Sequence, residues 1–80
     1  MDNCLMVFAS ITTANGVRQI LMRHGIKCYV VQTPRALPVS GCSYSVKCKV
    51  DDLDEAWALV QQLDVYTKGA FLESDHTKLK

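Results

Sequence analysis

The sequence predicts an α+β domain of ferredoxin-like architecture, with elements in the order βαββαβ. Three observations predict it. Two stretches carry apolar residues at helical spacing, four read as strands, and each helical stretch falls between two strands. Two right-handed βαβ crossovers then give a four-stranded antiparallel sheet, strand order 4-1-3-2, with both helices on one face.

Residues 4–9, CLMVFA, form a continuous apolar run, the pattern of a central strand buried on both faces or nearly so. Ser10, Thr12 and Thr13 follow and are good N-cap types. Ala14, Val17, Ile20, Leu21 and His24 then share one helical face, and Gly25 supplies the stop. Residues 27–32 contain Cys28-Tyr29-Val30-Val31, a second strand. Residues 33–41 hold two prolines and a glycine and read as a loop. Residues 43–50 alternate: Tyr44, Val46, Cys48 and Val50 face the core, while Ser43, Ser45, Lys47 and Lys49 are expected on a wet face. Asp51, Asp52 and Asp54 suit a helix start, and Leu53, Ala56, Trp57, Val60 and Leu63 trace its apolar stripe. Residues 66–72 read as the last strand, interrupted by Gly69. The organisation is thus a single domain over 1–72 and a polar, loose C-terminal tail over 73–80.

Composition narrows the function classes. With Lys+Arg 9 against Asp+Glu 8, there is no global attraction to nucleic acid or acidic lipid. No apolar run reaches membrane-spanning length, and Met1-Asp2-Asn3 lacks the basic start of a secretory signal, so a cytoplasmic protein is expected. Tyr44 and Phe8 fall on faces expected to be buried, so an RNA-binding sheet would lack its stacking aromatics. No acid–base pair or nucleophile triad is visible, so a stand-alone hydrolase or transferase is not expected.

Four cysteines stand in the chain, without a CxxC pair, and the two histidines lie far from any such arrangement. Cys4, Cys28 and Cys48 sit within strand-like runs, where free cysteine packs as a small hydrophobe; no disulfide and no metal site is expected. Cys42 differs, because it falls between loop and strand. In the 4-1-3-2 order the first and third strands are neighbours. The end of the first, near Ser10, then meets the start of the third, near Cys42. A thiol beside a helix N-terminus or a cation ionises more easily. Amides from Thr12 to Asn15, with Thr12 and Thr13 at the helix start, would supply the first influence and Arg35 the second. Ser40 and Ser43 offer hydroxyls, and Gly41 lets another backbone approach. Against this stands the simpler reading of a cysteine that merely falls in a loop. Trp57, His24, and the lysines and aspartates named above are most simply packing, a helix-dipole partner, and solvated charges.

The segment Val31-Gln32-Thr33-Pro34-Arg35, followed by Ser40-Gly41-Cys42-Ser43, resembles the selenium/sulfur carrier protein-like family of small domains. The likeness extends over residues 5–72, from Phe8-Ala9-Ser10 through His24-Gly25-Ile26 to the Thr-Pro-Arg segment and the cysteine that begins the next strand. One departure is that Ser43 follows the cysteine, where the family pattern has glycine. The resemblance implies a carrier of sulfur or selenium with Cys42 as carrier thiol. It would need no cofactor, and would work between a protein donor such as a cysteine desulfurase and an acceptor protein. A non-catalytic ligand- or protein-binding module and a redox-sensing thiol stand beside it as alternatives.

Overall fold

The computed structural model describes residues 2–37, 39 and 43–80; Pro38, Ser40, Gly41 and Cys42 lie outside the described residues. Its elements are β1 (Asn3–Phe8), α1 (Ile11–Arg23), β2 (Cys28–Gln32), β3 (Tyr44–Lys49), a 3-10 turn (Val50–Asp52), α2 (Leu53–Gln62) and β4 (Gly69–Leu72). The strands form one antiparallel sheet in the order β2-β3-β1-β4, which read from its other edge is 4-1-3-2. The expected neighbours are therefore the observed ones.

β1 is central because both of its faces are apolar. Cys4, Met6 and Phe8 join Ala14, Val17 and Leu21 of α1 and Leu53, Ala56 and Val60 of α2 in one buried cluster. Leu5 and Val7 point the other way, where no helix lies. They pack with Phe71 and with Leu37, whose segment folds back over the sheet, and Val31 and Val39 border this second cluster. Burying a Leu or Val side chain stabilises by roughly 1.5–3 kcal/mol, so a second face carrying Leu5 and Val7 demands a cover.

That cover corrects the expectation of a wet face on β3. Ser45 is 0% and Ser43 4% exposed, while Lys47 is half-buried and Lys49 exposed. The face is wet only in its second half, because the returning segment shields the first. The tail is also corrected. Residues 73–80 turn back along β4: Leu72 N–H donates to Thr77 O at 2.8 Å and Leu79 N–H to Ala70 O at 2.7 Å. Lys80 also pairs with Asp54 of α2 at 3.3 Å. These bonds occupy the sheet edge that β4 would otherwise leave open.

α1 begins and ends as its sequence requires. Ser10, with extended φ −137° and ψ 153°, is the N-cap, and its hydroxyl oxygen accepts from Thr13 N–H. At the other end Gly25 takes φ 81°. Its N–H bonds Met22 O, and Ile26 N–H bonds Leu21 O, the paired closure of a Schellman turn. Ile26 is buried in the same cluster as Leu21.

Candidate functional site

The register Phe8↔Tyr44 brings the end of β1 and the start of β3 together. Ser10, two residues beyond Phe8, opens α1, and Ser43 directly precedes Tyr44. The expected meeting of the first helix start with the strand that follows the cysteine is thus present among the described residues. Cys42 itself, with Ser40 and Gly41, lies outside the described residues.

The residues flanking it are held from both directions. Thr33 N–H donates to Ser43 O at 3.2 Å, extending the β2–β3 ladder past Gln32. The Thr33 and Ser45 hydroxyls share a hydrogen bond of 2.7 Å. Leu37 N–H closes onto Pro34 O at 3.2 Å, a β-turn with Arg35 and Ala36 at its corners. Arg35 is exposed at that corner. Val39 N–H then reaches back to Leu37 O at 2.8 Å. Leu37, buried, and Val39, half-buried, anchor the segment to the sheet. Loop composition concealed these anchors. The available signal was indirect: Leu5 and Val7 on the helix-free face imply apolar residues elsewhere to cover them.

The helix start is partly occupied. Thr13 N–H is taken by Ser10 Oγ at 3.2 Å, and Ser10 Oγ–H donates to Thr13 Oγ1 at 3.0 Å. Ala14 N–H bonds Ser10 O at 3.1 Å. Two of the amides expected to face a thiolate are therefore already paired, and Thr12 in the same turn is exposed. Ser43 offers a different resource. Its hydroxyl is buried and has no hydrogen-bond partner among the described residues. An orphaned buried hydroxyl is costly, on the order of 1–3 kcal/mol.

The remaining cysteines are packed, as expected: Cys4, Cys28 and Cys48 are buried and free. Burial pushes the Cys28 thiol up from its ordinary range, against a smaller opposing pull from Arg18. Among the described residues no cluster of three or more His, Cys, Asp or Glu could hold a metal ion. No helix among them is long and apolar enough to cross a membrane. Trp57 packs at the rim of the helix-side core, and His24 is the exposed C-cap of α1.

No curated protein and no solved structure gives a significant match to this chain. One family does, over residues 3–71, which include β1, both helices, Thr33-Pro34-Arg35 and the segment of Cys42. The chain belongs to the family described as Putative Se/S carrier protein-like.

Proposed function

We propose that the protein carries sulfane sulfur, or selenium, on Cys42 between a protein donor and an acceptor. The family membership over residues 3–71 carries this reading. The Cys42 thiolate attacks the outer sulfur of a donor persulfide, as on a cysteine desulfurase. The new S–S bond forms on Cys42 and the donor leaves as thiolate. An acceptor thiolate then attacks the outer sulfur of Cys42–S–SH and releases the Cys42 thiolate. No net oxidation occurs, so the relay needs no cofactor.

Arg35, exposed at its turn, and Ser43, whose hydroxyl has no partner among the described residues, support a charged sulfur nearby. Thr12, Thr13, Ser40 and Gly41 complete the proposed binding set. The ferredoxin-like assignment of the fold belongs to the same reading and rests on the element order and strand neighbours. The test is intact mass after incubation with a cysteine desulfurase and cysteine. A gain of one sulfur atom that is lost in Cys42→Ala is expected. An unchanged mass in the parent chain would favour a non-catalytic binding module instead.

A further inference from the structure

The carrier reading uses none of the three buried cysteines, yet the sheet lines them up. Cys28, Cys48 and Cys4 occupy one lateral row across β2, β3 and β1, through the registers Cys28↔Cys48 and Cys4↔Cys48. Within the row one pair touches: the Cys4 and Cys48 Sγ atoms are 3.4 Å apart. Cys28 is turned elsewhere, toward the Arg18 carbonyl at 3.6 Å.

We propose that Cys4 and Cys48 form an oxidisable dithiol, a second thiol site that hydrogen peroxide converts to a cross-strand disulfide. The register supports closure. Val50 N–H donates to Asp2 O, which makes Asp2 and Val50 a hydrogen-bonded pair. Pairs alternate along an antiparallel ladder, so Cys4 and Cys48 are one too, with Cα atoms about 5.5 Å apart. Disulfides span about 4.4–6.8 Å between Cα atoms. The sulfurs need only close their remaining gap by side-chain rotation and a small strand adjustment.

The pair is also chemically unequal. Either thiol can donate across the 3.4 Å contact, and the Cys4 thiol also reaches the Lys49 carbonyl at 3.9 Å. The contact with Cys48 lowers the Cys4 pKa despite burial. Cys48 is pushed up by the same contact and by burial. The oxidation balances with Cys4 as the attacking sulfur, and the same two steps balance with the roles of Cys4 and Cys48 exchanged. In the first case the Cys4 thiolate takes one oxygen of the peroxide as the O–O bond breaks, giving Cys4–S–OH and hydroxide. The Cys48 sulfur then attacks Cys4, the S–O bond breaks, and water leaves with the remaining proton. Two thiols lose two hydrogens and two electrons, and one peroxide becomes two waters. Peroxide is little larger than water, and Cys48 helps line a surface depression of about 110 Å³ with Asn3, Tyr29 and Lys27.

This site is separate from Cys42. The Cys4–Cys48 register lies four residues from Phe8–Tyr44, or about 13 Å along the strand. The inference is independent of the carrier reading and is tested in Cys42→Ala. After dilute hydrogen peroxide, denaturation and alkylation, the protein should have lost two hydrogen atoms. It should block two fewer thiols, and yield a Cys4–Cys48 cross-linked peptide that dithiothreitol cleaves. Cys28→Ser added to this background should keep the link, and Cys48→Ser should abolish it. If Cys48→Ser does not fold, the mapped peptide from Cys42→Ala still decides. No link at peroxide levels that oxidise Cys42 in the parent chain, or a link through Cys28, overturns the proposal.

Discussion

The Thr33 hydroxyl stands 2.7 Å from the Ser45 hydroxyl, and this contact ties the segment before Cys42 to the floor of the sheet. Ser45 is completely buried and Thr33 half-buried. Replacing Ser45 by Ala leaves the Thr33 hydroxyl without its partner, at a cost of about 1–2 kcal/mol. Changing both together, Thr33→Val with Ser45→Ala, should cost less than the sum, because no orphaned group remains. Urea unfolding of the two single variants and the double variant measures this. Strict additivity would show that the bond contributes nothing.

Leu37 is the anchor of the same segment, only 3% exposed and packed with Leu5, Val7 and Phe71. Leu37→Ala should lower stability by about 2–3 kcal/mol, at the lower end for buried leucines because a surface segment can settle into the gap. Amide hydrogen exchange should quicken at Val39 and along the covered half of β3 but not in α1. A loss below about 0.5 kcal/mol, typical of surface substitutions, would mean that the segment does not cover the sheet.

These two anchors mark where the sequence was legible and where it was not. Both helices and β3 were legible from periodicity, the other strands from short apolar runs, and the strand neighbours followed from the connection rules. The both-faces burial of β1 was legible in its unbroken apolar run. The cover over its second face was not, because Leu37 and Val39 sit among Pro34, Pro38 and Gly41 and carry no period. The same omission made Ser43 and Ser45 look wet, since alternation reports which face a side chain takes and not what lies above it. The tail was misjudged for a related reason. Its bonds to β4 are backbone bonds, Leu79 N–H to Ala70 O for instance, and polar side chains say little about those. At the site, topology rightly joined the start of α1 to the start of β3. The capping geometry that takes Thr13 N–H was written in Ser10, but its competition with a thiolate needed distances.

Lys47 and Glu73 form an ion pair of 3.0 Å with side chains roughly a third exposed. The hydrogen bond from Lys47 holds the Glu73 carboxyl below its usual range, against a smaller effect of burial and with help from Asn3. A depressed carboxylate contributes stability above its unfolded pKa, about 4.3, and loses it as pH falls through the lower folded value. At this exposure the pair is worth about 0.2–1 kcal/mol. Lys47→Ala should therefore lower the urea midpoint slightly at pH 7, and the gap to the parent chain should shrink as pH falls below 4. A gap that widens on acidification would contradict the assignment.

The buried cysteines lead to a labelling order. Cys4, Cys28 and Cys48 are each at most 3% exposed, so iodoacetamide should reach them only through local opening or unfolding. Cys42 should be modified first in the folded chain. Its rate should rise with pH around a midpoint below that of a free thiol, about 8.5. Arg35→Ala should raise that midpoint if the guanidinium assists the thiolate. Labelling of Cys48 ahead of Cys42 would remove the basis for a reachable carrier thiol.

Gly69 opens β4 with φ 118°, a backbone conformation that L side chains rarely adopt. A Cβ built there would stand 3.1 Å from the Lys80 carbonyl oxygen, which itself accepts from Ala70 N–H at 3.3 Å. Gly69→Ala therefore meets two obstacles, a strained φ and a crowding of the returning tail. Strain of this kind costs on the order of 1–3 kcal/mol, and the tail can relieve only the second part by moving away. The variant should unfold at lower urea and should also expose the Ala70 and Leu79 amides to faster exchange, since both belong to the tail contact. Removing residues 77–80 from the parent chain separates the two effects. In that shortened chain Gly69→Ala should cost less than in the full chain, by the share that the Lys80 contact supplies. An equal cost in both would place the whole effect in the backbone angle, and no cost in either would show that β4 does not hold this conformation in solution.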